Sequence, residues 1–98
     1  MKMDTFIAGT TYLEDHSPID ELKVGDMLLL QREDNRYDDN AILVLNKKKK
    51  KLGYVPQKDN IVFARLMNAG KLLQARVLEI DDLGDFTQIK IGIYLVDF

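Results

Sequence analysis

The chain contains no cysteine. Disulfides and thiolate metal sites are therefore excluded, and the absence is compatible with a cytoplasmic location. It has one histidine, His16, followed directly by Ser17. Neighbours in the chain rarely aim at each other, so His16 reads as a surface-loop residue rather than half of a nucleophile–base couple. There is no G-x-S-x-G elbow and no G-x-x-x-x-G-K-[ST] phosphate cradle, and no motif for a cofactor. Long apolar runs are missing too. "MLLL" and "AILVL" fall far short of the roughly 20 residues that span a bilayer, so no membrane segment is expected. The opening residues place Asp4 ahead of any apolar run, which argues against a signal peptide. No repeat and no Gly/Ser- or Pro-rich linker divides the chain, and a single domain over residues 1–98 is expected. An excess of positive charge is also absent. The net charge is −2 and the pI about 5.3, which argues against nonspecific coating of a duplex but leaves room for a small pocket that takes one strand end.

What is present describes a small globular domain. Hydrophobic residues make up 46% and charged residues 31% of 98 residues, enough apolar surface for a modest core and too much for global disorder. "TFIAGTTYL" reads as a first strand, "DMLLLQRE" and "AILVLN" as two more, and "LGYVP" as a fourth. "DHSPIDELKVGD" reads as a loop with room for one helical turn. The lysine run Lys47–Lys51 lies between two apolar strands and suggests a hairpin, though no Asn-Gly or Asp-Gly pair pins its turn. Residues 58–69 predict a helix with Val62, Leu66 and Ala69 on one side, flanked by Phe63 and Met67. Asp59 is the expected N-cap and Gly70 the C-terminal stop. "KLLQARVLEI" and "FTQIKIGIYLV" predict two longer strands. In the last, Ile89, Ile91, Ile93 and Leu95 share one face, with Phe86, Gln88, Lys90 and Tyr94 on the other. The expected fold is mainly β with one or two helices, a small OB-like modified β-barrel of about six strands.

The stretch "NRYDDNAI", residues 35–42, sets a tyrosine among turn-forming Asn, Arg and Asp. A calcium loop starting at Asp34 fails three tests. Arg36 falls at the third position, Asp39 at the sixth where Gly makes the turn, and Leu45 at the twelfth where Glu belongs. A looser Mg²⁺ site on Asp34, Asp38 and Asp39 has no fixed ligand set behind it. Aromatic rings recur: Tyr12 at the end of the first strand, Tyr37 in the polar loop, Tyr54 in "LGYVPQK", and Phe86 and Tyr94 on the last strand. Flat rings stack on bases, and Arg36, Lys58 and Lys90 lie near enough in sequence to partner phosphates. The competing reading is that these rings cover the barrel half-buried. Lys47–Lys51 reads as a solvated connection or as a source of phosphate attraction.

Taken in order, "IAGTTY", "LKVGDMLLLQREDNRYDDNAILV", "KLGYVPQ" and a helix ending "LMNAG" resemble the HIRAN domain family, clearly from Phe6 to Gly70 and more loosely beyond. The family occurs at the front of fork-remodelling helicase-like translocases and as small standalone bacterial proteins. The resemblance implies a modified OB-like barrel with helical additions and capture of the 3′-hydroxyl end of single-stranded DNA. Tyr12 matches the family's first-strand aromatic, Tyr37 its stacking tyrosine, and Asp38 the acceptor of the 3′-hydroxyl. Phe86 matches a further stacking ring. The family's phosphate-gripping histidine and lysine correspond to Tyr54 and Gln57, and an arginine before the first-strand aromatic to Thr11. Lys58 takes up that charge only with a shift of register, and Arg36 stands where proline is common. Asn40 is expected to tie the turn through its amide, and Gly53 to permit a close backbone approach or a bulge.

Three function classes follow. The first is a non-enzymatic module binding single-stranded DNA ends in repair or fork processing, working with a helicase or nuclease partner. The second is a protein-interaction or self-associating barrel, including a homo-oligomer, that has lost DNA binding. The third is a small hydrolase or nuclease built on the acidic loop.

Overall fold

Six strands form in the computed structural model, which describes residues 2–96. The chain ends of the expected 1–98 domain, Met1, Asp97 and Phe98, lie outside the described residues. The strands are β1 (Lys2–Phe6), β2 (Met27–Arg32), β3 (Ile42–Leu45), β4 (Lys51–Tyr54), β5 (Leu73–Asp82) and β6 (Thr87–Leu95). A short helix, α1 (Ser17–Asp20), fills the expected turn before β2, and a longer one, α2 (Gln57–Asn68), follows β4. The sheet order is β1-β6-β5-β2-β3-β4, and every neighbouring pair is antiparallel.

The sheet rolls into a half-barrel whose two edges meet once. Past β1, the Ile7 N–H still donates to the Ile89 carbonyl (3.0 Å), on the β6 side. The next residue, Ala8, exchanges both backbone bonds with Tyr54 of β4, at 2.8 and 2.9 Å. This closure needs Gly53. Its φ is +154°, and a Cβ there would press into the Ala8 carbonyl oxygen and stand 2.6 Å from Ile7 Cγ2. The close approach read from the sequence is this one. A bulge accompanies it. Val44 pairs with Gly53 but Leu45 pairs with Lys51, so Leu52 is the extra residue in β4.

The core follows the alternation of the last strand: Ile89, Ile91 and Ile93 are fully buried, together with Leu28, Ile42, Val44, Leu52, Val55, Val77 and Phe63. Among the described residues no helix is long and apolar enough to cross a membrane.

Three local expectations are corrected. The first strand stops at Phe6: Gly9 turns the chain with φ +78°, and Thr10–Tyr12 form a 3-10 turn rather than a strand end. The buried face of α2 carries Asn60, Phe63 and Ala64, while Val62 and Ala69 are exposed. A polar Asn belongs to the inward face because its amide bonds to Asp38 of the 35–42 loop, which a hydrophobic pattern cannot register. Finally, Asp59 is not the N-cap. The helix starts one turn earlier behind Pro56, and Asp59 instead accepts the Thr5 hydroxyl at 2.6 Å, tying α2 to β1. The C-terminal stop is as expected. With Gly70 at φ +86°, its N–H reaches the Met67 carbonyl and that of Lys71 the Leu66 carbonyl, both at 3.0 Å.

The lysine run is a hairpin tip, and Asn46 organises it. Its side-chain Oδ1 accepts the N–H groups of Lys48 and Lys50, both at 2.9 Å, and its carbonyl accepts that of Lys49 at 2.9 Å. Lys49 takes φ +64°, where a Cβ is unfavourable.

Two substitutions test these backbone demands in opposite senses. Gly53→Ala is expected to lower stability by at least about 2 kcal/mol, because the added carbon has no room under Ala8. Lys49→Gly is expected to raise it by up to about 1 kcal/mol, by relieving the left-handed residue. Urea unfolding of each variant against the parent chain measures both.

Candidate functional site

The seam where the barrel closes is also where a groove opens. Ala8 and Gly9 form one side, Tyr54, Val55 and Gln57 the other, and Asn35, Tyr37, Asp38 and Ala41 the loop wall, around about 260 Å³. Ala8, Ala41 and Val55 give apolar contact, the Asn35 and Gln57 amides give polar rims, and Asp38 is the one ionised side chain in the lining.

The 35–42 loop holds its shape through its own side chains. Asn35 Oδ1 accepts the Tyr37 N–H at 2.8 Å, and its Nδ2 donates to Glu33 Oε2 at 3.1 Å. Asp38 Oδ1 accepts the Asn40 N–H at 2.9 Å. These are the side-chain-to-backbone bonds that make Asn and Asp turn residues. The turn is thus tied by Asn35 and Asp38, not by the Asn40 amide expected from sequence. From outside the loop, Arg32 clamps it. Its guanidinium donates to the carbonyls of Ala41 and Asp39 and to Asn68 Oδ1 at the end of α2.

Asp38 has a second tether. Its Oδ2 accepts Nδ2 of Asn60, which is only 2% exposed, at 2.9 Å. The carboxylate is therefore held from both oxygens. An ionised carboxylate offers about four acceptor positions, so each oxygen retains one for a ligand. Among the described residues, no three carboxylate or imidazole groups converge.

Each ring in the groove carries a cation. Tyr37, 80% exposed, has the Arg36 guanidinium 5.0 Å from its ring centroid, with Nη2 donating to its hydroxyl at 2.9 Å. Tyr54 is half-buried, placed by β4 pairing with Leu43 on one side and Ala8 on the other. The Lys51 ammonium sits 4.6 Å from its ring centroid and 3.2 Å from its hydroxyl. Residues three apart in a regular strand face opposite sides, so it is the extra Leu52 that puts Lys51 and Tyr54 together.

Of the residues singled out in the sequence, Tyr37, Asp38 and Tyr54 meet in the groove, and Arg36 backs Tyr37. Tyr12, 89% exposed, borders a neighbouring depression with Lys50 and Lys51. Phe86 lies in the β5–β6 connection rather than on the last strand, in a different hollow with His16 and Thr11. Lys58 is largely exposed and points to Asp59, at 3.3 Å, and it does not line the groove. Lys90 faces Glu79 at 3.8 Å. Tyr94 is occupied elsewhere, donating to Gln74 at 3.0 Å. Sequence reasoning missed Asn35, whose spacing to Tyr37 is that of a side-chain turn, and it missed Arg32, Asn60 and Lys51 as supports.

The chain belongs to the HIRAN domain family, whose model matches residues 2–96. Among solved structures, a Lactobacillus plantarum protein is similar at 34% identity with a TM-score of 0.80, over 92% of this chain and 89% of that one. The HIRAN domain of human HLTF is similar in fold, with a TM-score of 0.78 at 21% identity, over 96% of this chain and 74% of that one. No curated protein matches the chain.

The Asp38–Asn60 bond is testable as a coupling. Asp38→Ala and Asn60→Ala are each expected to cost about 1–3 kcal/mol, since each strands the other partner. The double variant is expected to cost less than their sum by about 1 kcal/mol. Additive losses in chemical denaturation would show that the two side chains act independently.

Proposed function

We propose that this chain is a non-catalytic module that binds the 3′-hydroxyl end of single-stranded DNA in the groove between Tyr37 and Tyr54. The observation that carries this reading is the meeting, in one groove, of two tyrosine rings and a carboxylate oriented by two donors. The HIRAN family is associated with DNA binding, and the resemblance in "RYDDNAI" supports Tyr37 as the stacking ring and Asp38 as the acceptor of the end hydroxyl.

The chemistry suits an end rather than a backbone. Stacking on an aromatic face is available to every base and contributes roughly 1–3 kcal/mol per base. A carboxylate accepts a bond from a free hydroxyl and repels a terminal phosphate, so Asp38 distinguishes an unblocked end from a blocked one. Its bonds to Asn40 and Asn60 fix its direction before the ligand arrives, which reduces the ordering cost of binding. Tyr12 adds a ring one 3-10 turn beyond Gly9. Phe86 and Lys58 lie outside the groove and take no part in gripping the terminal nucleotide. In this role the module marks strand ends in repair or fork processing, and a helicase or nuclease partner does the work on the DNA.

A second reading, a protein-interaction or self-associating barrel, draws on the groove lining itself, which holds a carboxylate and no cation. Light scattering with and without oligonucleotide separates the two.

Fluorescence anisotropy with matched oligonucleotides ending in 3′-hydroxyl or 3′-phosphate tests the first. The hydroxyl end is expected to bind more tightly. Tyr37→Ala is expected to weaken it about 5- to 150-fold, the equivalent of one lost stack. Asp38→Asn is expected to erase the preference between ends while retaining most of the total affinity. Equal binding of both ends by the parent chain, or none at low salt, would sink the reading.

A further inference from the structure

The groove poses an electrostatic problem that its own lining does not solve. Nothing in that lining is cationic and one group is anionic, yet a DNA strand brings a negative charge with every nucleotide. Cations must come from the rim. Arg36 stands on one side, over Tyr37, and Lys51 on the other, over Tyr54.

Lys51 is the first of a series. It also lines the adjoining depression with Lys50 and Tyr12, an open space of about 460 Å³. Lys47, Lys48 and Lys49 continue the charge around the hairpin tip, and all five lysines are exposed. Among the described residues the ion pairs are Lys58–Asp59 and Lys90–Glu79, so no carboxylate lies within 4.0 Å of any of the five. Glu14 and Asp15 line the same depression. The Ser17 hydroxyl and N–H, with Lys50 further off, hold the Asp15 carboxyl below the usual carboxylate range.

The tip is organised rather than loose. The three bonds to Asn46 fix the turn, and Lys49 occupies a left-handed position that glycine would fill with less strain.

We propose that the β3–β4 hairpin, Lys47–Lys51, is a phosphate track for the strand leaving the groove. The terminal nucleotide sits between Tyr37 and Tyr54, the chain crosses the Tyr54–Lys51 pair into the depression beside Tyr12, and its phosphates then follow the lysines. The track rests on the end-binding reading given above, but it concerns the nucleotides behind the end rather than the end itself. It gives the hairpin a ligand chemistry, the phosphodiester backbone, without base preference.

Length and salt separate the two ideas. For single strands, log affinity falls with log salt by about 0.7 for each phosphate contact. Anisotropy is measured with three-nucleotide and ten-nucleotide strands, both with 3′-hydroxyl ends, across a salt series. Lys48→Gln/Lys50→Gln is compared with Lys2→Gln/Lys71→Gln, which has the same net charge. The hairpin variant is expected to lower the salt slope for the ten-nucleotide strand by about 1.4 and its low-salt affinity at least about fivefold. Three-nucleotide binding should change little, and the control variant should behave as the parent chain. Circular dichroism melting checks that both variants fold as the parent does. If the parent binds and Tyr37→Ala weakens it, but the hairpin variant keeps the full salt slope, the track is wrong and the end reading stands. An equal loss in both hairpin and control variants also overturns the track, since net charge alone then explains it. If the parent chain binds neither strand at low salt, the end reading fails and the track fails with it.

Discussion

The structure depends on one close approach: the backbone of Gly53 passes beneath the carbonyl of Ala8. Among the described residues, the two edges of the sheet meet only there, through the paired bonds of Ala8 and Tyr54. An open sheet of this size would present two unpaired edges to solvent, and this single contact is what joins them at one end of the half-barrel. It also creates the site. Ala8 and Gly9 arrive from one edge, Tyr54 and Val55 from the other, and the groove is the space left above their meeting point. Any side chain at position 53 would hold the edges apart and so would widen the groove as it weakened the fold.

The site's second constraint reaches inward. Asp38 ties a surface loop to Asn60, a buried residue of α2, while Arg32 ties the same loop to the end of that helix through Asn68. The helix in turn is fastened to β1 by Asp59 and Thr5. A loop made mostly of polar residues would ordinarily be among the more mobile parts of such a domain. Here it is held at both ends of one helix, and its carboxylate is aimed in advance.

Much of the fold was legible because it rests on local patterns. The isoleucines of β6 announce a buried face by alternation alone, and Gly70 announces the end of α2. Family resemblance in turn pointed to Tyr37 and Asp38. What escaped notice depends on contacts between distant residues. Asn60 looks like a surface residue until Asp38, 22 positions away, is seen to need it. The inward face of α2 is hidden for the same reason, since its pattern includes a polar side chain. β-Branched and aromatic neighbours favour a strand at Tyr12, and the turn at Gly9 overrides that preference. The pattern of the last strand sets Phe86 beside Tyr94, whereas the β5–β6 connection carries it to another hollow.

The extra residue in β4 has a consequence of its own. In a regular strand, odd and even positions belong to opposite faces, so the membership of a surface is fixed by parity. Leu52 breaks that count, and it is why Lys51 and Tyr54 appear on one side of the sheet. The chemistry presented at this rim is therefore set by the number of residues between a lysine and a tyrosine as much as by their identities. A chain with the same side chains and one residue fewer in β4 would send its lysine to the other face and leave the ring without a cation. In this barrel, single-residue insertions and deletions are a means of changing what the groove attracts.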